Sequence, residues 1–214
     1  MRRILGRGKA GQLTKKCLLF AILIMAVAAL AQENRYDAGI GVSEVFSRSS
    51  AGNNTTLKPS TSPGFWLTGR VRFTAHSAIS LTYSVTNNSQ KYFSAPFNYR
   101  IQGRVSEFGG AYMFSFHESA KLEPFIFGGA AALVFNPDST TLNDVSASIP
   151  AVRQTKPALV YGGGADYRVR GHWLAVRLQY RGLVYKAPDF GVQNLFTGAY
   201  GHLAEPSAGV IVKF

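Results

Sequence analysis

The charged residues of this sequence fall at positions from which they could meet. FWLTGRVRFT (65–74) sets Arg70 and Arg72 on the parity opposite Leu67, Val71 and Phe73. Glu107 opens EFGGAYMFSF (107–116), and Asp166 interrupts LVYGGGADYRV (159–169). WLAVRLQYRGLV (173–184) carries Arg177 and Arg181 opposite Val176, Leu178 and Tyr180, and Glu205 joins the set by parity. If these positions line one enclosed interior, carboxylates and guanidiniums lie on facing walls. Such groups could do acid–base work or neutralise one another, and buried ions are tolerable only when paired. The second outcome is expected: Arg70, Arg72, Glu107, Asp166, Arg177 and Arg181 form a lumen polar network without catalysis. Arginine outnumbers acid in this set, so the alternative is a small anion-leaning pore.

No other constellation competes. His76, His117, His172 and His202 have neither the i, i+4 nor the cysteine-flanked spacing of a metal site, so no metal is expected. Glycine-rich runs recur in EFGGAYMFSF, FIFGGAAALVF (125–135) and LVYGGGADYRV. A phosphate cradle needs such a run at a helix start with Lys-Ser or Lys-Thr following, and none follows here. The glycines instead suit crowded, coiled strands. No cofactor is expected. Nor is nucleic acid a partner, since no cluster of basic residues supplies the footprint.

The elements that position these residues alternate with period two. In ISLTYSVT (79–86), Ile79, Leu81, Tyr83 and Val85 oppose Ser80, Thr82, Ser84 and Thr86. Eight strands are predicted, at about 36–46, 64–74, 79–86, 104–116, 123–135, 157–168, 173–184 and 203–214. Most reach the length of about ten residues that crosses a bilayer at a tilt. Short turns around 75–78, 117–122 and 169–172 alternate with long polar loops, the longest at 136–156. An even strand count, short turns at one end and long loops at the other describe an all-β, eight-stranded, antiparallel up-and-down transmembrane barrel. A soluble lipocalin-like barrel would reverse the faces, with apolar residues inside. Strict alternation puts Glu44 outward with Ile40 and Val42, near the long-loop end, where an outward acid costs little.

The ends of the chain frame this reading. Residues 1–16 carry six Lys or Arg and no acid, and CLLFAILIMAVAAL (17–30) is continuously apolar. Ala29-Leu30-Ala31 then offers small residues for a peptidase, so 1–31 reads as a cleaved secretory signal peptide and 32–214 as the barrel domain. Fourteen apolar residues are short for a spanning helix. Cleavage removes Cys17, the only cysteine, and lowers the formal charge from +12 to about +6. At the other end PSAGVIVKF keeps Ala208, Val210, Val212 and Phe214 on one face to the last residue.

With that terminus, the sequence resembles the small eight-stranded outer-membrane proteins of the OmpA transmembrane-domain, OmpX and OmpW type, over essentially all of 32–214. The resemblance implies a bacterial outer-membrane location and a C-terminal assembly signal at Ala208, Val210, Val212 and Phe214. That signal is read by the barrel-assembly machinery after periplasmic chaperones have carried the chain. Outer-membrane lipids are the surroundings, and a monomer is expected. A structural or surface-interaction role is the leading function, and an OmpW-like solute channel is an alternative. Some small barrels are lipid A deacylases with a His-Ser-Glu set. Here the stretch reads His202-Leu203-Ala204-Glu205, without the serine, so a lipid A-modifying enzyme is not expected.

Overall fold

A computed structural model describes residues 35–116 and 121–214 of the chain. Residues 1–31, expected from the sequence to be a signal peptide, and His117 lie outside the described residues. Eleven strands follow one another: β1 (Tyr36–Ser47), β2 (Ser50–Gly52), β3 (Thr55–Pro59), β4 (Ser62–Arg72), β5 (Ser77–Ser94), β6 (Phe97–Ser115), β7 (Leu122–Leu142), β8 (Val145–Ser146), β9 (Gln154–Arg170), β10 (Leu174–Lys186) and β11 (Tyr200–Lys213). Eight of them close a ring in the order β1, β4, β5, β6, β7, β9, β10, β11 and back to β1, every pair antiparallel. Closure removes the sheet edges that lipid would leave without hydrogen-bond partners.

The seam is made by the chain ends. Ala38 faces Val212, Ile40 faces Val210 and Val42 faces Ala208. The Phe214 amide donates to the Tyr36 carbonyl at 2.7 Å. Register along β1 runs without a break past Glu44, which pairs with Pro63 and keeps the outward parity of Val42 and Phe46.

The wall is turned inside out relative to a soluble protein over its lower part, the part next to the short turns. Val42, Leu81, Leu159 and Leu178 point outward and are 62–65% exposed, while Arg70, Arg177 and Asp166 are buried within. A contiguous apolar outer band of this size marks a lipid-facing surface.

The upper part departs from the sequence expectation. Residues 87–103, read as a long loop, are paired strand from Asn87 opposite Arg104 to Ser94 opposite Phe97. The segment from 136 likewise continues β7 to Leu142. Here polarity crosses over: outward positions become Asn87, Ser89, Lys91, Arg104 and Arg100, and inward ones become Tyr92, Ile101 and Leu133. Beyond the lipid band nothing requires apolar residues outside, so the wall takes the soluble pattern and builds a core. The first connection, 48–61, is also ordered, as the β2–β3 hairpin whose β3 pairs with the upper half of β5.

Candidate functional site

The interior is where charged side chains of both signs converge among the described residues, and the register puts them there. Asp37 faces Arg70 across β1 and β4, Arg177 faces Asp166 across β10 and β9, and Arg181 faces Glu205 across β10 and β11. Directly opposed residues of opposite charge are the favoured cross-strand arrangement.

In the lower layer Asp166, fully buried, accepts a forked pair from Arg177, Nε to Oδ1 at 2.7 Å and Nη2 to Oδ2 at 2.8 Å. Planar forks of this kind are among the strongest charge-assisted contacts. Arg70 Nη2 adds a third donor to Asp166 at 3.1 Å while its Nε donates to Asp37. Arg72 lies 3.4 Å from Asp37 and 2.8 Å from Glu123, and Glu123 also receives Lys213 Nζ. The Arg177 guanidinium sits 4.8 Å over the Phe125 ring, which covers its remaining face.

A second, smaller layer lies further up. Arg181 bridges two acids, donating to Glu107 and standing 3.3 Å from Glu205, and the Ser84 hydroxyl donates to Glu107 at 2.9 Å. Between the layers is a cavity of about 20 Å³ lined in part by Thr68, Thr82, Gln179 and Arg181. That is room for about one water. Trp66 lies across the interior at this level. A Cβ on Gly41 or Gly209 would stand 2.5 or 2.4 Å from its ring, so these two strands must be bare where the indole rests.

Above both layers the interior is mainly apolar, with Asn88 and Gln90 buried among the apolar side chains. Leu57, Tyr92, Ile101, Leu133 and Leu183 form a buried cluster, and the connection 187–199 folds down onto it with Phe190 and Leu195 inside. Phe190 meets Tyr92 and Phe135 edge-on, and the Tyr92 hydroxyl donates to the Pro188 carbonyl at 2.8 Å. Gln154 clamps the connection: its amide donates to Asp189, and its carbonyl accepts from the Asp189 amide at 3.1 Å. Burial alone would raise the Asp189 carboxyl, but the bonds from Gln154 and the Gly191 amide outweigh it and hold it below the usual carboxylate range.

The structure brings together all six residues named for the lumen, with Glu205. Arg70, Arg177 and Asp166 share the lower layer, Glu107 and Arg181 the upper, and Arg72 reaches neither Glu107 nor Asp166 but Asp37 and Glu123. Sequence reasoning missed Asp37, Glu123 and Lys213. With them the surplus of arginine disappears: the buried charges among the described residues are five acids and five bases. The same parity rule would have found them, since Asp37 alternates with Gly39, Glu123 with Phe125 and Lys213 with Ile211. Ala208, Val210, Val212 and Phe214 lie on the outer face of the seam. The glycine runs sit in mid-strand in β6, β7 and β9. His76 caps the Ser115 carbonyl in a turn, and His202 faces outward beside the Tyr161 hydroxyl, on the side opposite to Glu205.

A closed antiparallel ring with an apolar outer band and an ionic interior defines an outer-membrane barrel. A family profile for the outer membrane protein beta-barrel domain matches residues 17–200, and the chain belongs to that family. Its fold is similar to that of Neisserial surface protein A (16% identity, 84% of this chain and 97% of that one, TM-score 0.57). Similar also are OprG of Pseudomonas aeruginosa (13%, 84% and 95%, 0.54) and Ail, the attachment invasion locus protein of Yersinia pestis, solved with the heparin analogue sucrose octasulfate (14%, 84% and 98%, 0.52). At these identities the likeness is one of fold. A comparison with curated proteins returned no match.

Proposed function

We propose that this outer-membrane protein is a closed barrel without conductance or catalysis, whose body stiffens the membrane and whose upper, extracellular extension is its working surface. The observation that carries the reading is the stacked filling of the interior. Two ion-paired layers, a cavity of about one water and an apolar cap with the 187–199 connection folded into it succeed one another along the axis. Eight strands enclose little more than their own side chains, and this filling supports a lumen closed to solutes. An anion-leaning pore loses its premise, because acids and bases balance. A lipid A-modifying enzyme gains no support, because His202 and Glu205 point to opposite sides of the wall. Export by a cleaved signal peptide, insertion by the barrel-assembly machinery and a monomeric state complete the reading.

The test is electrical. Refolded protein in planar bilayers should give no unitary currents. Resolved, reproducible single-channel steps would overturn the closed-barrel reading.

A further inference from the structure

The outer wall of the extracellular extension holds three cations where a sheet would be expected to avoid them. Lys58 of β3 stands directly opposite Lys91 of β5, and Lys91 stands directly opposite Arg100 of β6. Neighbouring strands lie about 4.8 Å apart, so one rung carries three positive charges in a row about 10 Å long. Like charges directly opposed destabilise a sheet. Among the described residues no acid forms an ion pair with any of the three. The flanking rungs carry neutral groups, Thr56, Phe93 and Asn98 on one side and Ser89 and Gln102 on the other. A groove of about 410 Å³ runs along the row, lined by all three cations with Thr56, Phe93 and Asn98. Asp144, in the β7–β8 turn, is the one acid bordering the groove among the described residues, and it forms no ion pair with the cations.

We propose that Lys58, Lys91 and Arg100 bind a saccharide bearing at least two phosphate or sulfate groups. The row supplies three cationic side chains rooted on strands about 5 Å apart, the flanking rungs supply hydroxyl and amide groups suited to sugar hydroxyls, and Phe93 offers an exposed ring for a sugar face. Height favours a glycan over a phospholipid headgroup. Lys91 lies six residues beyond Val85, the last outward apolar residue of β5, about 20 Å along a strand tilted about 40° and so about 15 Å above it, whereas the headgroup layer is about 5–8 Å thick. An extended glycan reaches it, whether anchored in the surrounding leaflet or carried on another surface.

This rests on the extension being the working surface, and the two readings fail separately. Unitary currents would overturn the closed barrel and leave the row untouched. The row is tested with folded protein in lipid nanodiscs, titrated with a heparin-derived hexasaccharide and, separately, with the phosphorylated core oligosaccharide of lipopolysaccharide. The dephosphorylated core serves as blank.

Lys91→Gln, at the centre of the row, should weaken binding about tenfold, or 1.4 kcal/mol, and should raise the urea midpoint because it removes two like-charge neighbours. Arg153→Gln, in a different outer connection, should leave binding unchanged. An effect on the hexasaccharide alone assigns the ligand to another surface, on the core alone to the protein's own leaflet, and on both to charge spacing common to the two. Equal affinity of Lys91→Gln and the parent for both ligands would overturn the proposal. So would tighter binding of an oligonucleotide of equal charge.

Discussion

Asp166 and Glu107 look alike in the sequence, each an acid among small residues in a glycine-rich strand, but the structure gives them unequal burdens. Asp166 is the acid that pairs with Arg177, and it is shared with Arg70. Glu107 shares Arg181 with Glu205, so its partner keeps one acid when it is neutralised. Breaking a buried pair so that one charge is left uncompensated costs about 3–5 kcal/mol. That is the expected loss for Asp166→Asn in urea unfolding followed by the mobility of folded and unfolded forms on gels. Glu107→Gln should lose about 1.5–3 kcal/mol, the worth of a hydrogen bond to a charged group. The opposite order would show that the upper layer holds the interior together. Period-two reading found both acids because each stands mid-strand. It left out Asp37, Glu123 and Lys213, although each lies within a predicted strand and shares the parity of the inward Gly39, Phe125 and Ile211, because the reading gathered charges from mid-strand and did not carry the parity to the strand ends. The apparent excess of arginine followed from that omission.

At the scale of elements, the ring of eight strands was legible because lipid imposes a rule on the outer face. FWLTGRVRFT and ISLTYSVT alternate cleanly for that reason. The hairpin from Asn87 to Arg104 was not, because the rule lapses above the membrane and both faces of NNSQKYFSAPFNYR carry polar residues. Its inward Tyr92 and Ile101 make sense only against Phe190 and Leu195, which arrive from a connection about a hundred residues later.

That connection should respond to acid. A carboxyl whose value is lowered by folding contributes stability that is present above its unfolded value and is lost as pH falls through the lowered one. Asp189 is such a group, with an unfolded value of about 3.9. Protonation should therefore loosen the Gln154 clamp below about pH 4. Hydrogen exchange of backbone amides in 187–199 is expected to rise at pH 3 relative to pH 7, after correction for intrinsic rates. Asp189→Asn should abolish most of the difference. Equal protection of the wild-type segment at both pH values would mean that Phe190 and Leu195 hold it without the clamp.

For the whole molecule, the decisive contact is the seam between β1 and β11, which turns a sheet into a ring. Phe214 stands at its lower corner, bonded through its amide to Tyr36 and in line with the outward Val212, Val210 and Ala208. Deleting Phe214 should lower the yield of folded, membrane-embedded barrel in cells while leaving N-terminal processing the same as in the parent. An undiminished yield would mean that assembly does not read the terminus. The seam has another property. Asp37 and Lys213, near opposite ends of the chain, share a rung, and the ionic interior draws on β1, β4, β6, β7, β9, β10 and β11. A slip of one residue in any strand would turn its inward charges to lipid, at about 2–4 kcal/mol for each Arg or Lys near the bilayer midplane. The buried charges therefore act as a checksum over the ring, satisfied when all those strands agree and violated in several places at once by a barrel sealed one step out.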